Sequence, residues 1–574
     1  MSFKTENAFI DATYHQAGRR ARSITQGKPS PLRQSTSLEQ LEENEQPVSS
    51  ISDSSPRTAI DVQNLLAAIH KLQTWYKIQD ISWIPDINDN ENDDVKELKN
   101  APGKPPKLQE QAPPVFRKAL DALASFCVSR EDEVVAVGLE AWHAKKTNQD
   151  WVRLLIATDD GVEDESKQQL RLIWKSIKDI ASSFNGRSAS STEESKDSVE
   201  EFWQDTQELI GNFTILCLSF SFERWKKEIN SDISLLLAVP LDGFAKSHPF
   251  RTVRENIQNL YAVYTSPKAK IGKPHTEDKK KWRQFVSCLA ETQESIEIFM
   301  SSDPFIGPES HVYAHYFPSM KSYVKKVPAY LDMVQHLQMA ACSSECKGLL
   351  KRPFSLYALP AMSNTARDVP HTAKDWQCLL EKAASIERDK YELDPDVIAR
   401  GTEYMAQEPV ARDLPVHCEL KLVLEAMQRP KAVYAYIGMS KLSCYGCYKF
   451  LDALNNIYGT KFGTRGCTMK ARHPWQFPPG LLFGKQVADQ TYRSLAWSWI
   501  RGYHGYRPKC RHFQLGSVHS VPSVATGDVP TSSNPTTIKR KEGESHWFNG
   551  SFACSVSKGL RRVSSLLVSR RDSV

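Results

Sequence analysis

The sequence predicts an α/β fold: a three-layer domain with a large helical insertion or N-terminal helical region and disordered termini. Three observations predict it. Two segments of helical spacing open at His417 and at Cys444, with a short apolar run over residues 432–439 between them. Upstream, two apolar runs of β type are joined by a polar loop. From about residue 165 to 345 the apolar period is helical instead.

In chain order, residues 1–57 are rich in Ser, Gln, Glu and Pro and carry too little apolar surface to order themselves. Residues 60–76 show a helical stripe of Leu65, Leu66, Ile69, Leu72 and Trp75, within an N-terminal helical segment assigned to 58–130. An acidic, then Pro/Lys-rich loop over 86–113 interrupts that segment. Residues 133–142 and 151–157 read as a hairpin, placed at 131–160. A helical block without evident repeat is assigned to 161–400, marked by Leu170, Ile173, Trp174 and Ile177, then by stripes near Trp225, Trp282 and Tyr323. Within it, residues 349–362 suit one more strand, interrupted by Pro353.

The region 401–512 is the organising one. After His417, the residues Leu420, Val423, Leu424 and Met427 fall on one helix face, between Pro415 and Pro430. The run 432–439 suits a strand buried on both faces. A turn follows at 440–443. Cys447, Phe450, Leu451 and Leu454 then repeat the helical spacing, with Cys444 one turn before Cys447. Residues 461–464 are placed to start a strand, and Trp475 among Pro474, Pro478 and Pro479 makes a rigid aromatic loop. Residues 513–574 form a disordered tail that ends basic.

Composition bounds the setting. A length of 574 residues allows roughly two to four domains. A net charge of +6 is too small at this length to announce a nucleic-acid binder. The 12 cysteines lack disulfide-like spacing and hold one Cys-x-x-Cys, which points to a reducing compartment. The start of the chain lacks the apolar core of a signal peptide, and its longest apolar stretch, 213–222, is too short for a bilayer. The expectation is an intracellular protein, cytoplasmic or nuclear, without a membrane association.

His417-x-Glu419 followed by Cys444-x-x-Cys447 has the residue types of a metal centre that activates water. One imidazole and two thiolates hold Zn²⁺ and leave a fourth tetrahedral position open. A carboxylate kept off the metal then moves protons. Residues two apart lie about 200° apart on a regular helix, so His417 and Glu419 share a pocket only at an irregular helix entry. Cys418 is expected to point away into the core. Cys467 and His473 are also spaced as ligands, as are His504, Cys510 and His512, so a closed structural zinc on Cys444, Cys447, Cys467 and His473 is an alternative. Trp475 and Tyr445 are candidates either to stack a base or to anchor packing. Arg465, Lys470, Arg472 and Arg501 suit phosphate contacts or a solvated basic face.

The order of hairpin, His-x-Glu at a helix start, strand, and Cys-x-x-Cys at a second helix start resembles the cytidine deaminase-like superfamily. The wording His417-Cys418-Glu419, then Ile437-Gly438-Met439-Ser440-Lys441-Leu442-Ser443-Cys444-x-x-Cys447, then Pro474-Trp475-Gln476-Phe477-Pro478, is similar to its nucleic acid/nucleotide deaminase-like family. That family is related to bacterial polymorphic toxins and expanded in filamentous fungi. The close match covers about 410–480. It implies zinc on His417, Cys444 and Cys447, Glu419 as proton shuttle, and hydrolytic deamination of a base in a nucleic acid or nucleotide, cytosine favoured over adenine. Ser443 stands where many members have Pro. Asp159 or Asp160 stands where many have the Asn that holds the sugar, which makes Asp159 a candidate substrate contact. Two other readings stand beside this one. The first is a non-enzymatic, zinc-stabilised protein that meets a protein partner through its helical block. The second is a deaminase of free nucleosides, for which a block of that size has no evident use.

Overall fold

The computed structural model describes residues 57–78, 113–130, 132–144, 148–187, 196–239, 248–265, 279–301, 323–365, 368–387, 395–407, 411, 413–428 and 432–516, with side chains up to 500 at that end. Of the expected disordered termini, residues 1–56 and 517–574 lie outside the described residues, as does the loop over 86–112, whereas residues 57 and 513–516 are helical.

Two helices open the described chain, α1 (Arg57–Ile78) and α2 (Pro114–Phe126), and the hairpin follows as β1 (Val135–Ala144) and β2 (Gln149–Thr158). The helical block comes next: α3 (Asp164–Arg187), α4 (Lys196–Ala238), α5 (Pro249–Thr265), α6 (Lys279–Ser301), α7 (Ala329–Cys342) and α8 (Ser344–Lys351). Then come β3 (Phe354–Ala358), β4 (Ser363–Thr365), α9 (Ala373–Ala384), α10 (Pro395–Gln407) and β5 (Asp413–Pro415). The last group is α11 (Cys418–Gln428), β6 (Ala432–Val433), β7 (Gly438–Met439), α12 (Tyr445–Tyr458) and α13 (Gly484–Gly516). Pro353 precedes the strand after the block and does not interrupt it. Pro has no N–H for a ladder, and here its carbonyl accepts from Val152 N (3.0 Å) just as β3 begins.

The sheet runs β3-β2-β1-β6, with β7 also on β1. β1 and β2 pair antiparallel from Val135↔Thr158 to Ala144↔Gln149, and β3 adds parallel to β2. The run 432–439 is not one strand as expected. Its first half pairs Glu140↔Val433 and its second half Val137↔Gly438, so it uses two more residues than β1 does over the same span. The reason is a competing partner on the far side. Gly463 donates to Ala435 O (2.8 Å) and accepts from Ile437 N (2.9 Å), drawing the middle of the run off β1. Residues 461–464 accordingly supply a single bridge, Tyr436↔Gly463, and no named strand.

Alternate strand residues face opposite cores, as a period of two requires. Val135, Val137 and Leu139 with Val152, Leu154 and Ile156 face a core built from α2 to α8. Ala136, Leu155 and Ala157 face a second core of α1 and α9 to α13. The protein is thus a mixed helix and strand structure with helices on both faces of a small sheet. This divides the chain differently from the sequence boundaries. α1, placed by the sequence in a separate N-terminal segment, joins the second core, and so does α9, placed in the block, while α10 runs across the boundary at 400. Among the described residues no helix is long and apolar enough to cross a membrane.

Candidate metal centre

β5 delivers the first donor. Its pairing with β4 and the Val416 N–H to Met362 O bond (2.9 Å) fix the chain just ahead of α11. His417 sits at the N-cap: its carbonyl accepts from Leu420 N (2.9 Å) and Lys421 N (3.1 Å). This is the irregular helix entry that the His-x-Glu spacing demands. Cys418 N–H donates to Asp159 Oδ1 (2.8 Å), so the residue after β2 caps the helix. Lys421, buried, donates from Nζ to the carbonyls of Thr158 (2.8 Å) and Asp159 (2.7 Å).

α12 delivers the other two. Cys444 is its N-cap, and its Sγ accepts the Cys447 N–H (3.4 Å). The bond from Tyr445 N–H to Lys470 O (2.9 Å) and the Ser443↔Cys467 bridge hold that entry in place. Two helix N-termini, one on each side of the β6–β7 run, thereby converge. His417 Nδ1 lies 3.5 Å from Cys444 Sγ and 3.3 Å from Cys447 Sγ, and the sulfurs are 3.5 Å apart. All three residues are buried.

The donor set fits a zinc ion. Tetrahedral zinc with bonds of about 2.3 Å to sulfur and 2.0 Å to nitrogen separates its donors by roughly 3.5–3.8 Å. The ring orientation fits too. His417 Nε2 donates to Pro474 O (3.2 Å), a carbonyl that can only accept, which leaves Nδ1 as the nitrogen facing the sulfurs. Among the described residues no fourth His, Cys, Asp or Glu joins the group. Cys467 instead accepts from Met469 N (3.2 Å), and His473 lies beside His70 with ring centroids 6.3 Å apart. The four-ligand structural site is therefore not assembled. His504, Cys510, His512 and Arg501 lie outside the described side chains.

The three groups act on one another's protons. Burial opposes charge on His417, yet the Cys444 thiolate beside it holds the ring up to about 10. Burial likewise opposes ionisation of Cys444, but its hydrogen bond from Cys447 and the His417 charge bring it well below the ordinary thiol range. Cys447 is pushed well up, first by burial. A divalent ion held here would take the place of the protons on His417 Nδ1 and Cys447 Sγ, and binding would then tighten as pH rises.

Glu419 stands beside this group and not in it. It is 2% exposed, and burial raises its carboxyl above the usual carboxylate range. A buried carboxyl holds its proton more tightly than an exposed one, because the charged form has lost its water. Cys418 points its thiol at Glu419 Oε2 (3.5 Å), so it is core, as expected, but in contact with the acid.

The three candidate substrate contacts fare differently. Trp475 is 1% exposed, packs against Phe477, and donates its indole N–H to Cys447 Sγ (3.2 Å). Tyr445 is fully buried with Lys449 over its ring. Neither offers a ring face to solvent, so base stacking does not fit these positions and anchoring does. Asp159 is half-buried and spends one oxygen on the α11 cap while lining a cavity of about 340 Å³ with Arg130, Asp132, Asp160 and Gly161. Arg465, Lys470 and Arg472 are exposed. Lys421 and the Pro474 carbonyl went unforeseen. A lysine inside the run Leu420–Leu422 was a signal for the first, and nothing in the sequence marks a carbonyl.

Residues 416–479 match a family model described as OTT_1508_deam-like deaminase, and that stretch contains His417, Glu419, Cys444, Cys447 and Trp475. No curated protein and no solved structure matches the chain.

Proposed function

We propose that the chain is a zinc-dependent hydrolytic deaminase of the cytidine deaminase-like type. Its substrate in this reading is a base within a nucleic acid or nucleotide, cytosine before adenine. The observation that carries it is the three-donor group His417, Cys444 and Cys447 with buried Glu419 beside it and outside it. A purely structural zinc gains nothing from such a carboxyl.

Zinc held by the three donors would supply a water of lowered pKa. The remaining work belongs to the chain. Glu419 takes the water proton as oxygen adds to the amino-bearing ring carbon. It delivers protons to the ring nitrogen and to the leaving amine, so that water is consumed and ammonia released. Asp159 and Lys421 hold the helix entry from which Glu419 projects. Free thiols are compatible with a reducing, intracellular setting.

The test is ammonia release from nucleosides, nucleotides, single-stranded DNA and single-stranded RNA, with metal content measured on the same samples. Glu419→Gln is expected to keep one metal per chain and lose at least about 10²–10⁴-fold in rate. Release that weakens steeply with salt would mark a strand as substrate. One zinc per chain with no release from any substrate would favour the zinc-stabilised interaction protein instead.

A further inference from the structure

One short loop touches the metal group twice, with opposite polarity. Pro474 offers a carbonyl to His417 Nε2–H (3.2 Å), and the next residue, Trp475, offers an indole N–H to Cys447 Sγ (3.2 Å). Gln476 N–H closes the loop on Pro415 O (3.0 Å), two residues ahead of His417. Each sulfur thus receives an N–H, but from different sources. For Cys444 it is the backbone of Cys447, and for Cys447 it is a side chain from a distant loop. A buried thiolate without a donor carries its charge in a medium that penalises it, and a hydrogen bond draws electron density from the sulfur.

We propose that Trp475 is a positioning residue of the metal centre, its indole N–H setting how much charge the Cys447 sulfur donates to the bound ion. The partner carbonyl of Pro474 works in the other direction, making the His417 ring a better donor. Trp475 acts through Cys447 and does not meet the substrate. The inference rests on the zinc reading above and goes beyond it, because a packing anchor alone requires no N–H at this edge of the ring.

Cobalt(II) substitution reports the sulfur directly through its thiolate-to-metal charge-transfer absorption. With the N–H removed in Trp475→Phe, the sulfur lone pair rises in energy and the band moves to longer wavelength. Metal affinity should fall about 10–100-fold, the range for loss of an outer partner. Phe477→Leu, which loosens the same packing and leaves the N–H in place, should leave the band where it is. Should Trp475→Phe not fold, site-specific replacement of Trp475 by benzothienylalanine keeps the bicyclic shape and removes only the N–H. A band unmoved in either N–H-deficient protein, or moved equally by Phe477→Leu, overturns the proposal while leaving the zinc site standing. Wild-type protein that takes up no cobalt overturns both.

Discussion

Glu419 and Lys421 sit two residues apart in the same helical turn, both buried, and do different jobs. Glu419 has a raised carboxyl because water is kept from it. Lys421 is kept in the interior by two carbonyls at the end of β2, with its own pKa lowered chiefly by burial. Replacing it by Met would leave the Thr158 and Asp159 carbonyls without that donor. A cost of about 1–3 kcal/mol in denaturant unfolding is expected, with the metal retained. Loss of metal from Lys421→Met at full folding would show that the lysine does more than brace the helix entry. The motif residues themselves were legible, since His417, Glu419, Cys444 and Cys447 stand at spacings that few other chemistries require. Trp475 was legible only as an aromatic beside prolines. Which edge of its ring meets a sulfur depends on how the loop lies across α12.

At the scale of elements, the β6–β7 run is held from both sides, and its other edge depends on α2. Asp121 accepts from Tyr436 OH (2.7 Å) and Met439 N (2.9 Å), while burial raises its carboxyl to about 6. Between pH 4 and 6 the folded chain therefore binds more protons at Asp121 than the unfolded chain does. Stability from this group is present below the unfolded value and is lost as pH rises through the folded one. The span corresponds to an order of 3 kcal/mol. Asp121→Asn should gain in melting temperature relative to wild type as pH goes from 4 to 7, and a gap that stays constant across that range refutes the assignment. Gly438 shows why α2 lies so close. A Cβ there would come 2.3 Å from the Leu120 backbone carbon, which cannot swing away. Gly438→Ala should destabilise by about 3 kcal/mol or more, read from the denaturation midpoint. The hairpin and both helix starts followed from periodicity. The break in the strand did not, because the pull of Gly463 comes from a residue well downstream and leaves no mark on the apolar pattern of 432–439.

Across the whole molecule, the candidate metal centre belongs to a core that draws on distant parts of the chain. Leu66 on α1 lies where a Cβ on Gly446 of α12 would meet it at 2.4 Å, and His70 and Gln73 bond the Ala471 backbone. The sheet backing α11 comes from residues 135–158. A fragment limited to residues 401–516 lacks α1, β1 and β2 and is expected to be unfolded by circular dichroism and to take up no stoichiometric zinc. Folding and metal uptake by that fragment would show the site to be self-sufficient.

The sequence by itself determined the donor types, their spacing, the hairpin, and the helical character of the middle of the chain. These are local properties, carried by periodicity and by residues whose side chains suit one chemistry. Only the tertiary structure decided that α1 and α9 share the core of the site, that Cys467 and His473 stay out of the donor group, and that Trp475 faces a sulfur. Each of these is a contact between segments far apart in the chain. Such contacts follow from how the two faces of one sheet distribute the helices between two cores, and no single segment encodes that division.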